Sequence, residues 1–150
     1  MGDDLFMTKQ KLTKATYTRR YVYNAHYHFI WVTKYRHQIF TTKKLSDEMK
    51  QLLMDTANDN KIVIQQLEVM PDHVHVLLSF PPYLSASDVL KVLKGRSAFL
   101  FMKQHPEIKQ QKFWDGHFWS SSYYFATVGD MSKETVTRYI QNQKYNQTKK

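Results

Sequence analysis

The amino-acid sequence predicts an α+β domain with a ferredoxin-like, or RRM-like, four-stranded antiparallel sheet, helices on one face of that sheet and an additional C-terminal helix. Two features support this prediction. Four stretches are rich in aromatic and β-branched residues, as strands are, and other segments place apolar residues at the three-to-four residue spacing of helices. The resulting order of strand, helix, strand, strand, helix, strand, helix is the split βαβ pattern followed by one more helix.

The first half of the chain predicts a strand, a helix and a hairpin. The stretch from Tyr21 to Thr33 contains neither Gly nor Pro, which favours a strand, and Lys43 to Asn60 is amphipathic with a helical period. Lys61 to Val69 and Val74 to Phe80 are two further apolar stretches. Because the tight turn Met70-Pro71-Asp72 separates them, they are expected to pair as a hairpin.

The second half of the chain predicts a helix, a strand and the last helix. Ser85 or Ser87 can cap a helix that continues to about Gln104. The stretch from Trp119 to Val128 is rich in Tyr and Phe and predicts the fourth strand. A Gly-Asp pair ends this strand, and Ser132 then begins the C-terminal helix with an acidic residue in its first turn.

Composition indicates one globular unit. The chain has 150 residues, which we divide into a basic N-terminal arm, residues 1–20, and a single domain, residues 21–150. A hydrophobic content of 42% excludes a disordered chain, and no apolar run approaches the roughly 18 residues of a membrane helix. Residues 1–10 lack a signal-type stretch, so we expect a cytoplasmic protein. The absence of cysteine excludes thiolate metal sites.

Charge indicates a polyanionic partner. The 22 Lys and Arg residues exceed the 13 Asp and Glu residues, which gives a net charge of +9. Aromatic side chains alternate with cations, an arrangement in which rings stack on unpaired bases beside neutralised phosphates. The alternative is a set of core aromatics with a solvated charged rim. The residues concerned are Trp31, Lys34, Tyr35, Arg36, Phe113, Trp114, His117 and Trp119.

A His-x-His pair indicates a metal site. His73 and His75 lie two residues apart on a predicted strand, so both side chains point to the face opposite Val74. Two neutral imidazoles about 7 Å apart along a strand can chelate one divalent ion. The alternative is two polar residues on an exposed sheet face. His26 and His28 have the same spacing. We favour His73 and His75 because their strand is an uninterrupted apolar stretch and the turn before it is tight.

The C-terminal helix supplies matching partners for this pair. Tyr139 and Gln143 lie four residues apart on one helix face, beside Val136. A hydroxyl and an amide oxygen on one stripe could lie across the open sheet face and complete a nucleophile and metal site. The alternative is a tyrosine that packs as an ordinary helix aromatic.

Six motifs in this order resemble the single-tyrosine HUH transposases of small bacterial insertion sequences, the TnpA type or IS200-like family. The resemblance extends from about Tyr23 to Gln143. The motifs are Tyr27-His28-Phe29-Ile30-Trp31, Lys34-Tyr35-Arg36, Met70-Pro71-Asp72-His73-Val74-His75, Lys94-Gly95-Arg96-Ser97, the stretch from Trp119 to Tyr123, and Tyr139-Ile140-Gln141-Asn142-Gln143.

The resemblance implies both an activity and the residues that perform it. It implies that His73 and His75 bind Mg²⁺ or Mn²⁺, with Gln143 as third protein ligand and Tyr139 as nucleophile. Cleavage would give a 5′-phosphotyrosine and a free 3′-OH, and strand transfer would be the reverse step with another 3′-OH. The implied substrates are single-stranded DNA ends with hairpins. The implied assembly is a homodimer in which each active site takes its histidines from one subunit and its tyrosine helix from the other.

Five residues are predicted to contact DNA: Lys34, Tyr35, Arg36, Lys94 and Arg96. Gly95, between the last two, lies inside a predicted helix at a cost of about 1 kcal/mol relative to Ala, which indicates that its backbone closely approaches another group.

Two other functions share parts of this pattern. A replication-initiator or relaxase-like nickase uses the same histidines and a tyrosine, but the short chain without a helicase region argues against it. A non-catalytic RRM-like module also exposes aromatics on a four-stranded sheet. The histidine pair on the open face argues against that function.

Overall fold

The computed structural model describes residues 16–17, 22–23, 25–113, 115–127 and 137–142. A four-stranded antiparallel sheet forms the centre of the domain, with its strands in the spatial order β4-β5-β3-β6. A separate two-stranded pair precedes it in the chain. The strands are β1 (Thr16–Tyr17), β2 (Val22–Tyr23), β3 (Tyr27–Val32), β4 (Val63–Met70), β5 (His73–Ser79) and β6 (Tyr124–Thr127).

The described helices are α1 (Lys43–Asp59), α2 (Ala86–Gln104), α3 (Pro106–Lys112) and α4 (residues 137–142). Of the two predicted caps for α2, the structure selects Ser85. Its hydroxyl accepts the Asp88 N–H at 3.1 Å, and the Asp88 carboxylate accepts the Ser85 N–H at 3.1 Å. This reciprocal capping box satisfies two N–H groups at the start of the helix. Within the described residues, none of the helices is both long and apolar enough to span a membrane.

The hydrophobic core lies between one face of the sheet and helices α1 and α2. Phe29 and Trp31 of β3 contribute to it, opposite Val76 and Val74 of β5. Met49, Leu53 and Ala57 of α1 cover this face together with Val89, Leu90, Leu93 and Phe101 of α2. The alternation of the strands therefore sends every second side chain of β3 and β5 to the opposite face, away from these helices.

The predicted α+β fold, with its four-stranded antiparallel sheet and its element order, is confirmed. The fourth strand is shorter than the predicted stretch, since Trp119 forms only an isolated bridge with Thr33 and regular pairing begins at Tyr124. Helix α3 was not predicted. Pro106 occupies its first turn, where the missing N–H of proline has no intrahelical partner to lose.

Two further observations bear on the sequence predictions. A Cβ atom built on Gly95 has nothing within 4 Å in the described part of the chain, so no described group of this chain makes the expected close approach, and an approach to another molecule stays a prediction. Thr16–Tyr17 lies inside the segment predicted as an N-terminal arm, yet it pairs with Val22–Tyr23. Residues 1–15 lie outside the described residues.

Candidate active site

The face of the sheet opposite the core carries the predicted histidine pair. In the ladder between β3 and β5, His73 is opposite Val32 and His75 is opposite Ile30. Directly opposed residues in an antiparallel pair point to the same face, and His28, two residues before Ile30, points there as well. We call the side of the sheet opposite the core, defined by the half-buried His28, His73 and His75, the histidine face. Through its pairing with Ile30, Tyr124 of β6 also belongs to it.

The hairpin turn that precedes His73 is fixed by backbone hydrogen bonds from the segment after β3. The Pro71 carbonyl accepts the N–H groups of Ile39 and Phe40 at 2.8 and 3.0 Å, and the Asp72 carbonyl accepts the N–H of Thr33 at 3.0 Å. The turn therefore cannot shift relative to β3 without breaking these bonds. This places Asp72 and His73 in a defined position at the end of the sheet.

The Asp72 carboxylate lies between His73 and Arg36. Asp72 is only 6% exposed, and its Oδ1 lies 2.8 Å from Nδ1 of His73. Its Oδ2 accepts a hydrogen bond from Nε of Arg36 at 2.9 Å and forms an ion pair with Nη2 at 2.8 Å. Burial alone would raise the pKa of Asp72, but the hydrogen bonds from His73 and Arg36 outweigh it and hold that pKa below its usual value. An ionised carboxylate only accepts, so Nδ1 of His73 carries a proton, and in the neutral ring Nε2 then presents its lone pair.

His75 has a second imidazole as its partner. Its Nε2 lies 3.2 Å from Nδ1 of His28, and the two ring centroids are 5.4 Å apart. Burial, followed by the charge of His75, lowers the pKa of His28 to about 4. Burial also lowers the pKa of His75, with His73 adding to this effect and Glu68 opposing it. Both rings are consequently neutral at physiological pH, which is the form that binds metals.

Tyr139 on α4 packs against the same side of the sheet. Its ring centroid lies 5.9 Å from that of Tyr124, and its hydroxyl lies 3.4 Å from Oγ of Ser122. Nη1 of Arg36 donates to the carbonyl of the next residue, Ile140, at 3.5 Å. Burial raises the pKa of Tyr139 to about 12, although the hydrogen bond with Ser122 opposes this rise. A pKa of that size leaves roughly one phenol in 10⁵ ionised at pH 7.

The segment that carries Ser122 is held by α2. Nζ of Lys94 donates to the carbonyls of Ser120 and Ser122 at 2.7 and 3.4 Å, and the indole of Trp119 donates to Oγ of Ser97 at 3.2 Å. Burial lowers the pKa of Lys94 to about 8. Helix α2 thus positions the partner of the Tyr139 hydroxyl from the core side of the sheet.

The structure brings His73 and His75 together on one face and places α4, with Tyr139, against it. Gln143, predicted as the third ligand, lies outside the described residues. His26 is buried, 7% exposed, and hydrogen-bonds to Gln65, so this member of the alternative pair has a packing partner.

The predicted DNA contacts divide into two groups. Arg36 and Lys94 direct their charges to groups of this chain, to Asp72 and to backbone carbonyls. Tyr35 is 45% exposed, Arg96 is exposed on α2, and Nζ of Lys34 lies 5.4 Å from the centroid of the Tyr35 ring. DNA contact by all five residues stays a prediction.

The donor set fits a divalent ion bound by few protein ligands. Within the described residues, Asp72 is the partner of Nδ1 of His73, and His28 is the partner of Nε2 of His75. Nε2 of His73 and Nδ1 of His75 are therefore left for a metal. A carboxylate behind a histidine is a common outer partner of a metal ligand. No group of three or more His, Asp or Glu side chains in the described part of the chain is arranged to hold a metal. An amide or water oxygen would therefore have to complete the site.

The roles of three residues of this site were not predicted: His28, Asp72 and Ser122. His28 was considered only as part of the His26 and His28 pair, and its position beside His75 follows from the pairing of β3 with β5. Asp72 precedes His73 directly, where a carboxylate can reach the ring nitrogen. Ser122 has no local pattern, because only the tertiary fold brings it to Tyr139.

Comparison with known proteins gives consistent results. Residues 21–143 match the family described as "Transposase IS200 like". The chain is 41% identical over 125 residues to the ISDra2 transposase TnpA of Deinococcus radiodurans, which covers 83% of this chain and 88% of that protein. It is 31% identical over 121 residues to the transposase for insertion sequence element IS200 of Salmonella typhimurium, with coverages of 81% and 78%.

Solved structures show the same fold. One structure from Deinococcus radiodurans, described as a transposase, superposes with a TM-score of 0.76 at 41% identity and covers 85% of this chain and 97% of that one. A REP-associated tyrosine transposase bound to a REP hairpin superposes with a TM-score of 0.50 at 14% identity, with coverages of 91% and 74%. At such low identity the second likeness supports the fold alone.

Proposed function

The chain belongs to the IS200-like transposase family, and from this premise we propose that it cleaves and rejoins single-stranded DNA with Tyr139 as the nucleophile. One observation supports this most: α4 lies against the histidine face, so the Tyr139 phenol and the two imidazoles belong to one region of the molecule. The rejoining activity distinguishes a transposase from a nickase of related chemistry.

Cleavage is a transesterification. The phenolic oxygen of Tyr139 attacks the scissile phosphorus, the bond from phosphorus to the 3′ oxygen breaks, and the phenol proton is lost while the departing 3′ oxygen gains one. The products are a 5′-phosphotyrosine and a free 3′-OH, and another 3′-OH reverses the step. Since a phosphodiester bond is exchanged for a similar bond, no ATP is required. Ser122 is placed to hydrogen-bond the phenolate, as its effect on the pKa of Tyr139 indicates.

The proposed cofactor is Mg²⁺ or Mn²⁺, held by His73 and His75 with Gln143 as the third protein ligand. When bound, such an ion neutralises charge on the scissile phosphate and polarises the P–O bond. Asp72 holds His73 with Nε2 available, and His28 holds the His75 ring. The proposed DNA contacts remain Lys34, Tyr35, Arg36, Lys94 and Arg96. Tyr35 and Arg96 are exposed, and the Lys34 ammonium lies 5.4 Å from the centroid of the Tyr35 ring, so these three side chains are the most accessible to DNA.

The function is tested by incubating the protein with a labelled single-stranded DNA end that carries a hairpin and separating the products on a denaturing gel. We expect a shortened 3′-OH fragment, a covalent protein–DNA adduct, and joined ends when a second DNA with a free 3′-OH is added. Omission of the divalent ion and use of fully double-stranded DNA are the controls. An adduct without joining would favour the nickase, and binding without an adduct would favour the RRM-like module.

We further propose a homodimer with shared active sites. The described chain places α4 on its own sheet, so a shared site would require this helix to move to the partner. In the sequence Gly129 lies between β6 and α4, and glycine permits backbone angles that other residues avoid. The position of residues 128–136 lies outside the described structure.

Shared sites predict complementation between two inactive subunits. A His73→Ala, His75→Ala subunit co-expressed with a Tyr139→Phe subunit should form heterodimers with one intact site and one doubly defective site. Cleavage should recover, and DNA should become attached only to the subunit that lacks both histidines. Each mutant alone is the control. Verified heterodimers that stay inactive would show that α4 acts on its own subunit. DNA attached to the Tyr139→Phe subunit would show that another residue of that subunit is the nucleophile, and would contradict the proposed site.

A further inference from the structure

We propose that Arg36 is a positioning residue that connects the metal-binding side of the active site to the nucleophile. It contacts Asp72, the carboxylate beside His73, and at the same time the backbone of α4, which carries Tyr139. The inference rests on the proposed function for the roles of His73 and Tyr139. Its geometric basis is independent of those roles, because it consists of contacts between Arg36, Asp72 and Ile140.

The guanidinium of Arg36 uses all three of its nitrogens. Nε donates to Oδ2 of Asp72 at 2.9 Å, Nη2 forms an ion pair with the same oxygen at 2.8 Å, and Nη1 donates to the Ile140 carbonyl at 3.5 Å. A planar fork with donors on two edges can reach two targets in fixed directions. A lysine ammonium is a point charge on a flexible stem and could satisfy the carboxylate without holding the helix carbonyl as well.

The backbone around Arg36 is held in an unusual conformation. Tyr35 and Arg36 have φ angles of 57° and 53°, in the left-handed region that non-glycine residues rarely occupy. Two backbone bonds fix the turn: Arg36 N–H donates to the Thr33 carbonyl at 2.9 Å, and Lys34 N–H donates to the Phe118 carbonyl at 2.9 Å. Backbone strain of this kind persists where the surroundings require it, and here it directs the Arg36 side chain to Asp72.

The connection to His73 passes through Asp72. With Oδ2 bound to Arg36, the other oxygen of Asp72 faces Nδ1 of His73 at 2.8 Å. This arrangement keeps the proton on Nδ1 and the lone pair of Nε2 directed away from the carboxylate. Without Arg36, the Asp72 carboxylate could rotate and its orientation would no longer select one histidine tautomer.

The connection to the nucleophile passes through the backbone of α4. Ile140 follows Tyr139 directly, so a bond to its carbonyl restrains the turn that carries the phenol. The other described contacts of Tyr139 are its ring packing on Tyr124 and its bond to Ser122. Loss of Arg36 should therefore affect two groups together: His73 should lose its fixed tautomer, and α4 should become less firmly held against the sheet.

Both effects can be measured in protein without metal and without DNA. The variants are Arg36→Gln and the more conservative Arg36→Lys, with Lys91→Gln as a control that removes the same charge from an exposed position on α2. The first readout is the tautomer of His73 by ¹⁵N NMR at mildly alkaline pH. The second readout is the alkylation rate of the thiol in Ile140→Cys protein. This thiol is unique because the chain has no cysteine. The substitution leaves the backbone carbonyl of residue 140, which accepts from Arg36, in place.

In Arg36→Gln we expect His73 to lose its strict preference for Nδ1–H. We also expect the thiol to react roughly tenfold faster, because the helix loses one hydrogen bond from a charged donor. Arg36→Lys should leave the His73 tautomer near that of the original protein, because a lysine ammonium can satisfy the Asp72 carboxylate, but it should still speed alkylation of the thiol. Lys91→Gln should shift neither readout. If Arg36→Gln does not fold, the alkylation rate in Arg36→Lys decides. An unchanged value of either readout in folded Arg36→Gln protein, or an unchanged alkylation rate in Arg36→Lys, would overturn the coupling. The nucleophilic role of Tyr139 would be unaffected by that result.

Discussion

Tyr139→Phe should reduce DNA cleavage by roughly 10³-fold or more and abolish the covalent adduct, while the protein stays folded. The substitution deletes only the attacking oxygen. The ring that packs on Tyr124 remains, and the lost hydrogen bond to Ser122 is worth about 1 kcal/mol or less. Single-turnover cleavage measures the first effect, and thermal unfolding together with hairpin binding measures the second.

The matched controls are Tyr124→Phe and Tyr123→Phe. Tyr124 contacts the Tyr139 ring, and Tyr123 lies beside it in the sequence, so each removes a nearby hydroxyl without touching the proposed nucleophile. Both variants should still form the adduct. Adduct formed by Tyr139→Phe protein would move the nucleophile to one of these residues or to Tyr145, which lies outside the described structure.

His73→Ala and His75→Ala should each abolish metal-dependent cleavage and weaken Mn²⁺ binding by roughly 100-fold or more, since each removes a direct ligand rather than an outer partner. Among the described contacts, His73 and His75 each keep one ring nitrogen for the metal. Each histidine therefore supplies one ligand, and the remaining histidine has no second nitrogen with which to replace the lost one. Titration calorimetry or Mn²⁺ electron paramagnetic resonance measures the affinity, and the denaturing gel measures cleavage.

The other histidine pair provides the control for this result. His26 is buried and bonded to Gln65, so His26→Ala should lower the free energy of unfolding by about 1–3 kcal/mol and leave metal affinity near its original value. His28→Ala removes the partner of His75 and should weaken binding by roughly 10-fold. A loss of metal binding in His26→Ala as large as in His73→Ala would show that the metal site had been placed on the wrong pair.

The fold was predictable wherever its determinants are local. The α1 helix and the hairpin of β4 and β5 follow from apolar periodicity and from the turn at Pro71 and Asp72. The start of the last strand was not predictable, because Trp119 looks like a strand residue in the sequence. In the structure its side chain donates to Ser97 on α2 and its backbone forms only an isolated bridge with Thr33, and regular pairing begins later, at Tyr124.

The metal-binding and nucleophilic residues of the candidate site could be identified from the sequence, but the contacts that hold them could not. His73, His75 and Tyr139 are identifiable because spacing and residue type are local properties. Which side His28 faces depends on the register of β3 against β5, which the sequence does not specify. Likewise, Arg36 looks like a surface cation ready for phosphate, and only the turn geometry shows that it binds Asp72.

Mass spectrometry of the trapped adduct tests most directly whether Tyr139 attacks the phosphate. The protein is incubated with single-stranded hairpin DNA and a divalent ion, denatured, and digested with nuclease and protease. We predict one modified peptide, with a nucleotide joined through its 5′-phosphate to the oxygen of Tyr139. A phosphotyrosine at Tyr123, Tyr124 or Tyr145, or cleavage without any covalent adduct, would contradict the proposed mechanism.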